Sequence, residues 1–194
     1  MKTALILVGG HASRAGGYPK HQFICGDKTF LEKQVEELSA CMDELFIVCR
    51  NEDQKKDIPE FQNISYIHDI REGQGPSGGI HSGAWHAGGE YFFVTACDMP
   101  YLSCTVIVYL FQAAKGYDAA VPVWDDGKYE PLCAVYRRDA VRNFYETSDD
   151  RRLSSLIQGL HTNFVSTHDI RLIDPDLNVF CNVNDFESLS KINI

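Results

Sequence analysis

Three apolar runs, at residues 4–8, 45–49 and 91–97, with Thr95 the one polar residue among them, constrain this chain more than any other feature. Each is short and lacks the polar alternation of a half-solvated strand. Such runs mark strands covered on both faces, as in parallel sheets. Residues 64–68, 118–123 and 132–137 read as further strands. Between them lie helical stretches. Thr29 followed by Glu32 predicts a capping box opening a helix to about Met42, with Leu31, Val35 and Leu38 on its apolar face. Residues 78–88 and 103–114 are predicted as two more helices. From Arg151 onward the tail reads as helix, strand and a closing helix at 185–192. Strand alternating with helix predicts an α/β fold: one three-layer α/β/α domain spanning residues 1–194 around a mostly parallel sheet.

Ligands of such sheets sit beyond the carboxyl ends of the strands. That rule gathers four loops: the one opening at Gly9, Arg50-Asn51, residues 69–79, and Asp98-Met99-Pro100. The first runs Gly9-Gly10-His11-Ala12-Ser13-Arg14-Ala15-Gly16-Gly17-Tyr18-Pro19-Lys20. Glycines let backbone N–H groups approach an anion, and Arg14 and Lys20 add charge-assisted donors. It is not a Walker A loop, because Lys20 follows Pro19 and no Ser/Thr follows the lysine. A plain glycine-rich turn is the competing reading. His11 sits in the loop, within reach of a ligand; the other histidines show no metal-ligand spacing and read as surface or core residues.

The stretch Gly73-Gln74-Gly75-Pro76-Ser77-Gly78-Gly79 contains G-x-G-x-x-G in form. The dinucleotide reading fails, because residues 69–72 separate it from the strand and Pro76 removes a donor. A flat wall for a nucleobase and a flexible loop both fit it. Asp98 ends an apolar strand and is followed by Met99-Pro100. A carboxylate there suits a Mg²⁺ ion, which takes one or two carboxylates plus phosphates and waters; a turn or N-cap aspartate is the alternative. Asp69 either accepts from a base or sugar or pairs with Arg71. Asn182 and Asn184 either close a metal site or, in the case of Asn184 or Asp185, cap the last helix.

The net charge of −9 and the absence of a dense Lys/Arg run argue against nucleic-acid binding. An acidic chain handling an anion needs local cations or a metal. The seven cysteines are scattered without a C-x-x-C pair, which predicts reduced, buried thiols and a cytoplasmic protein. No stretch approaches membrane-spanning length, so no membrane partner is expected.

The strings LVGGHASRAGGYPK, GPSGGI, ACDMPYL, EPLCAVY and NVNDFESL, in this order across nearly the whole chain, resemble the molybdenum cofactor guanylyltransferases. The resemblance implies a Rossmann-related, glycosyltransferase-A-like nucleotidyltransferase fold, with residues 1–100 as the nucleotide-binding half and 101–194 as the acceptor-binding half. It implies GTP held by the backbone of Leu7, Val8, Gly9 and Gly10, and phosphates neutralised by Arg14 and Lys20. Asn51, Asp69, Gly78 and Gly79 would lie near the nucleotide. Asp98 would hold Mg²⁺, and Glu130, Asn182 and Asn184 would face the pterin substrate.

The implied reaction transfers GMP from GTP to the terminal phosphate of molybdopterin and releases pyrophosphate. Arg14, Lys20 and Asp98 would be its catalytic residues. Molybdenum-insertion proteins and acceptor molybdoenzymes are the implied protein partners. The chain departs from the family pattern at Ala12, Ala15, Pro19 and Arg50. A cytidylyl- or sugar-phosphate nucleotidyltransferase of the same fold, and a non-catalytic nucleotide-binding assembly factor, are the alternatives.

Overall fold

The computed structural model describes residues 1–9, 19–70 and 74–183. The chain opens with β1 (Thr3–Leu7), then a small antiparallel hairpin of β2 (Ile24–Cys25) and β3 (Lys28–Thr29). Helix α1 (Phe30–Ser39) starts as expected. The Thr29 hydroxyl accepts from the Glu32 N–H at 3.2 Å, and the Glu32 carboxylate accepts from the Thr29 N–H at 2.7 Å. It ends earlier than the predicted Met42, in a turn at Ala40 and Cys41. Then come β4 (Glu44–Cys49), α2 (Glu52–Lys56), β5 (Ser65–His68), α3 (Pro76–His86) and β6 (Tyr91–Ala96). They are followed by α4 (Cys104–Ala113), β7 (Ala119–Val123), β8 (Cys133–Arg137), α5 (Arg138–Thr147), α6 (Leu153–Gly159), β9 (Thr162–Ser166) and α7 (Thr167–Arg171). The closing helix expected at 185–192 lies outside the described residues.

Seven strands form one sheet in the order β5-β4-β1-β6-β8-β7-β9. β1 is central, with parallel β4 on one side and parallel β6 on the other. β5 and β9 are also parallel to their neighbours. β8 runs antiparallel between β6 and β7. The expectation of a mostly parallel α/β sheet therefore holds, and β8 is the reversal within it.

The two faces explain the apolar runs. Ala4, Ile6 and Val8 enter one core with Leu31, Val35 and Leu38 of α1 and Val106, Ile107 and Leu110 of α4. Leu5 and Leu7 enter the other, with Ile80 and Ala84 of α3 and Val141 and Tyr145 of α5. Every position of the run 4–8 thus lands in one core or the other, and each large apolar side chain so buried contributes about 1.5–3 kcal/mol. On the second face α3 comes unusually near the sheet. A Cβ on Gly83 would stand 1.9 Å from Leu5 Cδ1, and one on Gly79 would stand 2.8 Å from Leu7 Cδ2. Gly79, within the stretch that fits a wall for a base, therefore also serves with Gly83 as the seat of a helix on β1.

One cysteine expectation fails. Cys41 and Cys104 form a disulfide across α1 and the start of α4. Their spacing of 63 residues hid this from the sequence; packing of α1 against the segment after Pro100 brings them together. The other five are free. Among the described residues no helix is long and apolar enough to cross a membrane.

Candidate functional site

A cavity of about 660 Å³ lies at the carboxyl edge of the central strands. Its wall is the set of loops that topology requires. Leu7, Val8 and Gly9 come from the end of β1, Val48 and Arg50 from the end of β4, and Asp69 from beyond β5. Gly75, Pro76 and Gly79 come from the start of α3, and Ala96, Cys97 and Asp98 from the end of β6. Pro19, Lys20, His21, Leu132 and Asn182 complete it with Asp53, Gln54 and Asp57.

At its heart two residues 78 positions apart meet. Lys20 Nζ donates to Asp98 Oδ2 at 2.8 Å, with the side chains only 19% and 15% exposed. Lys20 is delivered by a single 3₁₀ turn, Lys20–Gln22, entered through Pro19. Asp98 is delivered by the tight turn that stops β6, where Met99 N–H bonds back to the Ala96 carbonyl at 3.3 Å. Asn182 faces the same carboxylate. With its amide nitrogen inward, the only orientation that avoids opposing oxygens, it donates to Oδ1 at 2.8 Å and to Oδ2 at 3.2 Å. The next residue, Val183, donates its N–H to the Asp98 carbonyl at 2.9 Å. Lys20, Asp98 and Asn182, each proposed from sequence, thus form one connected cluster.

Other sequence-proposed residues fall differently. Asn51 caps α2 by accepting from Gln54 N–H at 3.1 Å and does not line the cavity. Gly78 is buried in the first turn of α3, beside the lining residue Gly79. Val8 spends its N–H on the Val48 carbonyl at 3.0 Å, and its own carbonyl accepts from Gln54 Nε2 at 2.7 Å. Backbone contact at Val8 is therefore restricted by the fold itself. Glu130 accepts from Trp124 Nε1 at 2.6 Å and does not itself line the cavity, which Leu132 two residues on does. Burial raises its pKa above the ordinary carboxylate range, against the Trp124 hydrogen bond. Gly10, Arg14 and Asn184 lie outside the described residues.

Sequence reading missed Gln54 and His21. Gln54 joins two strand ends, because its Oε1 also accepts from Arg50 N–H at 2.7 Å. Its signal was local: Gln54 stands three residues after the cap Asn51. His21 is buried and its pKa is lowered, mainly by desolvation, with the Asp57 backbone and charge opposing. Cys97, beside Asp98, has its thiol pushed up to about 12 by burial and then by the Asp98 charge. It therefore stays neutral near pH 7 and is no nucleophile. Among the described residues no group of three or more His, Cys, Asp and Glu could hold a metal by themselves. A single hard carboxylate at a strand end is instead the donor set that Mg²⁺ uses when substrate phosphates complete its shell.

The fold and this cavity together define the class: an α/β domain of the nucleotidyltransferase type. The MobA-like NTP transferase domain model matches residues 4–166, and the chain belongs to that family. A Methanosarcina acetivorans protein named "Probable molybdenum cofactor guanylyltransferase" is 35% identical over 201 residues, covering 98% of this chain and 89% of its own. The molybdenum cofactor guanylyltransferase of Desulfosudis oleivorans is 31% identical over 192 residues, 97% of this chain and 93% of its own.

Among solved structures, molybdopterin-guanine dinucleotide biosynthesis protein A from Archaeoglobus fulgidus superposes with a TM-score of 0.85 at 28% identity, over 100% of this chain and 97% of its own. The 2-C-methyl-D-erythritol 4-phosphate cytidylyltransferase of Thermus thermophilus reaches 0.70 at 14% identity, over 100% and 98%, which shows a shared fold alone.

Proposed function

We propose that this chain transfers GMP from GTP to the terminal phosphate of molybdopterin, releasing pyrophosphate. The observation that carries the reading is the Lys20–Asp98–Asn182 cluster in the wall of the cavity at the carboxyl edge. The names of the relatives supply the base and the acceptor. Phosphoryl-type transfer asks a protein mainly for alignment and charge neutralisation. Lys20 would turn from Asp98 to the phosphates and stabilise the leaving pyrophosphate, with Arg14 expected to join it. Asn182 would keep the Asp98 carboxylate oriented while Lys20 is engaged elsewhere. Asp98 would hold a divalent ion, with Mg²⁺ the expected one; when bound, that ion offsets charge on the substrate phosphates. The acceptor phosphate is already ionised, so no general base is required. Leu7 and Gly9 on one side and Asp69 and Gly79 on the other would flank the nucleoside. Molybdenum-insertion proteins and acceptor molybdoenzymes are the proposed protein partners.

The test is direct. Purified protein is incubated with molybdopterin, Mg²⁺ and each of GTP, CTP, ATP and UTP, while pyrophosphate and the dinucleotide product are measured. Product formed from GTP alone supports the reading. Preference for CTP moves the chain to another branch of the fold. GTP binding with no pyrophosphate release makes it a non-catalytic assembly factor.

A further inference from the structure

Gln34 is a polar side chain that is 0% exposed in the middle of the apolar face of α1. Burying an amide without compensation is costly, so such a residue needs partners. Its Nε2 donates to two carbonyls, Ala96 O at 2.8 Å and Met99 O at 2.8 Å. These two residues bracket Asp98. Its Oε1 meets no partner among the described residues. The site therefore tolerates one unsatisfied buried acceptor while keeping both donors engaged, although an apolar side chain of the same shape would remove that penalty.

From these contacts we infer that Gln34 is a positioning residue for the reaction, acting through the Asp98 turn. Both N–H groups of one rigid amide fix the separation of the carbonyls on either side of the carboxylate. The turn is thereby pinned from below by α1, while Val183 N–H holds the Asp98 carbonyl from the other flank. β6 ends at Ala96, and the last backbone bond to β1 is from Cys97 N–H to the Leu7 carbonyl at 3.1 Å, so Asp98 and Met99 lie beyond the sheet ladder. Besides Gln34, the turn backbone is held by that Cys97 bond, its own 3.3 Å Met99-to-Ala96 bond and the Val183 contact, and the carboxylate by Lys20 and Asn182. Among these, only Gln34 ties both carbonyls that bracket Asp98 to a helix of the core. Cys41, two residues past the end of α1, adds a covalent tie to Cys104 just beyond the turn. Gln34 remains the group that touches the turn itself. A reacting geometry displaced by about 1 Å can cost on the order of a hundredfold in rate. The inference rests on Asp98 acting in the transfer proposed above.

The test compares Gln34→Met, which keeps shape and loses both donors, with Asp98→Asn, at a temperature where all proteins are folded. Gln34→Met is expected to lower kcat about tenfold or more with KM for GTP within about threefold, the signature of lost alignment rather than lost binding. The Met99 amide is expected to exchange with deuterium at least about tenfold faster, while amides of residues 107–110 in α4 keep their rates. If Gln34→Met does not fold, Gln34→Asn serves instead, since it is too short to reach both carbonyls. A folded Gln34 variant with unchanged kcat and unchanged Met99 exchange, beside a crippled Asp98→Asn, overturns this inference alone. Wild-type turnover in Asp98→Asn overturns the transfer reading and this inference with it.

Discussion

The contact between Lys20 and Asp98 makes a measurable prediction about what happens when a nucleotide arrives. The charged atoms are 2.8 Å apart, with side chains 19% and 15% exposed. At an effective dielectric near 20, that separation gives roughly 6 kcal/mol of attraction before desolvation. Desolvation offsets most of it. Fully exposed pairs net about 0–1 kcal/mol. Removing one partner of a fully buried pair costs about 3–5 kcal/mol. This pair lies between the two, so a double-mutant cycle of Lys20→Met and Asp98→Asn is expected to show about 2 kcal/mol of coupling in the free protein.

Urea unfolding of the four proteins measures that coupling. The same cycle built from calorimetric GTP binding energies, added to the first, gives the coupling in the complex. If Lys20 exchanges Asp98 for phosphate, the coupling falls below about 0.5 kcal/mol there, the level of independent sites. A coupling already that small in the free protein, or one that GTP leaves unchanged, would refute the partner exchange.

Three further outcomes follow from the packing. Opening Cys41–Cys104 with dithiothreitol removes a crosslink over 63 residues and is expected to cost up to about 4 kcal/mol, read as a lower urea midpoint; an unchanged midpoint in protein whose thiols titrate as open contradicts it. Gly83→Ala places a methyl 1.9 Å from Leu5 Cδ1 and is expected to cost about 1–3 kcal/mol, and to cost less in a Leu5→Ala background, where the clash is gone; full stability in the single variant shows that α3 is free to shift. His21 is buried with a depressed pKa, so the unfolded chain takes up the proton first as pH falls below about 6.5. Stability is therefore lost on acidification through that window, and His21→Gln is expected to flatten the loss between pH 7 and pH 5; an identical slope in the variant argues against it.

The sheet was legible because its strands are buried on both faces. Each apolar run had one solution, and the rule placing ligands at carboxyl ends then gathered Gly9, Asp69 and Asp98 without any coordinates. The Thr29–Glu32 cap was legible because its chemistry is local. What escaped was long-range. α5 followed β8 without a break and carried no capping residue, so 138–147 gave no start signal. The disulfide joins residues that no local spacing rule connects. Gln34 looks like an ordinary polar helix residue until the turn after β6 is laid on top of it. Asn51 was credited to the nucleotide through family resemblance, whereas its side chain is occupied as a helix cap. The glycines of 73–79 were read for what they leave open to a ligand, while the structure also uses Gly79, with Gly83, to let α3 sit on Leu7 and Leu5.

The electrostatics of the cavity bear on how a triphosphate enters at all. Among the described lining residues four carboxylates, Asp53, Asp57, Asp69 and Asp98, face two cations, Lys20 and Arg50. Lys20 is already engaged with Asp98, and the chain as a whole carries −9. A bare nucleotide triphosphate adds several negative charges to a wall that is itself negative. The field of the protein therefore opposes the free anion, and every cation delivered with it lowers that barrier. We predict that GTP affinity measured by calorimetry falls at least about tenfold, or about 1.4 kcal/mol, when EDTA replaces Mg²⁺. Asp98→Asn is expected to shrink that difference, because it removes the carboxylate assigned to the ion. Equal GTP affinity with and without the divalent cation would mean that Arg14, Lys20 and the glycine loop neutralise the phosphates unaided, and Asp98 would then lose its assigned role as the ion's ligand.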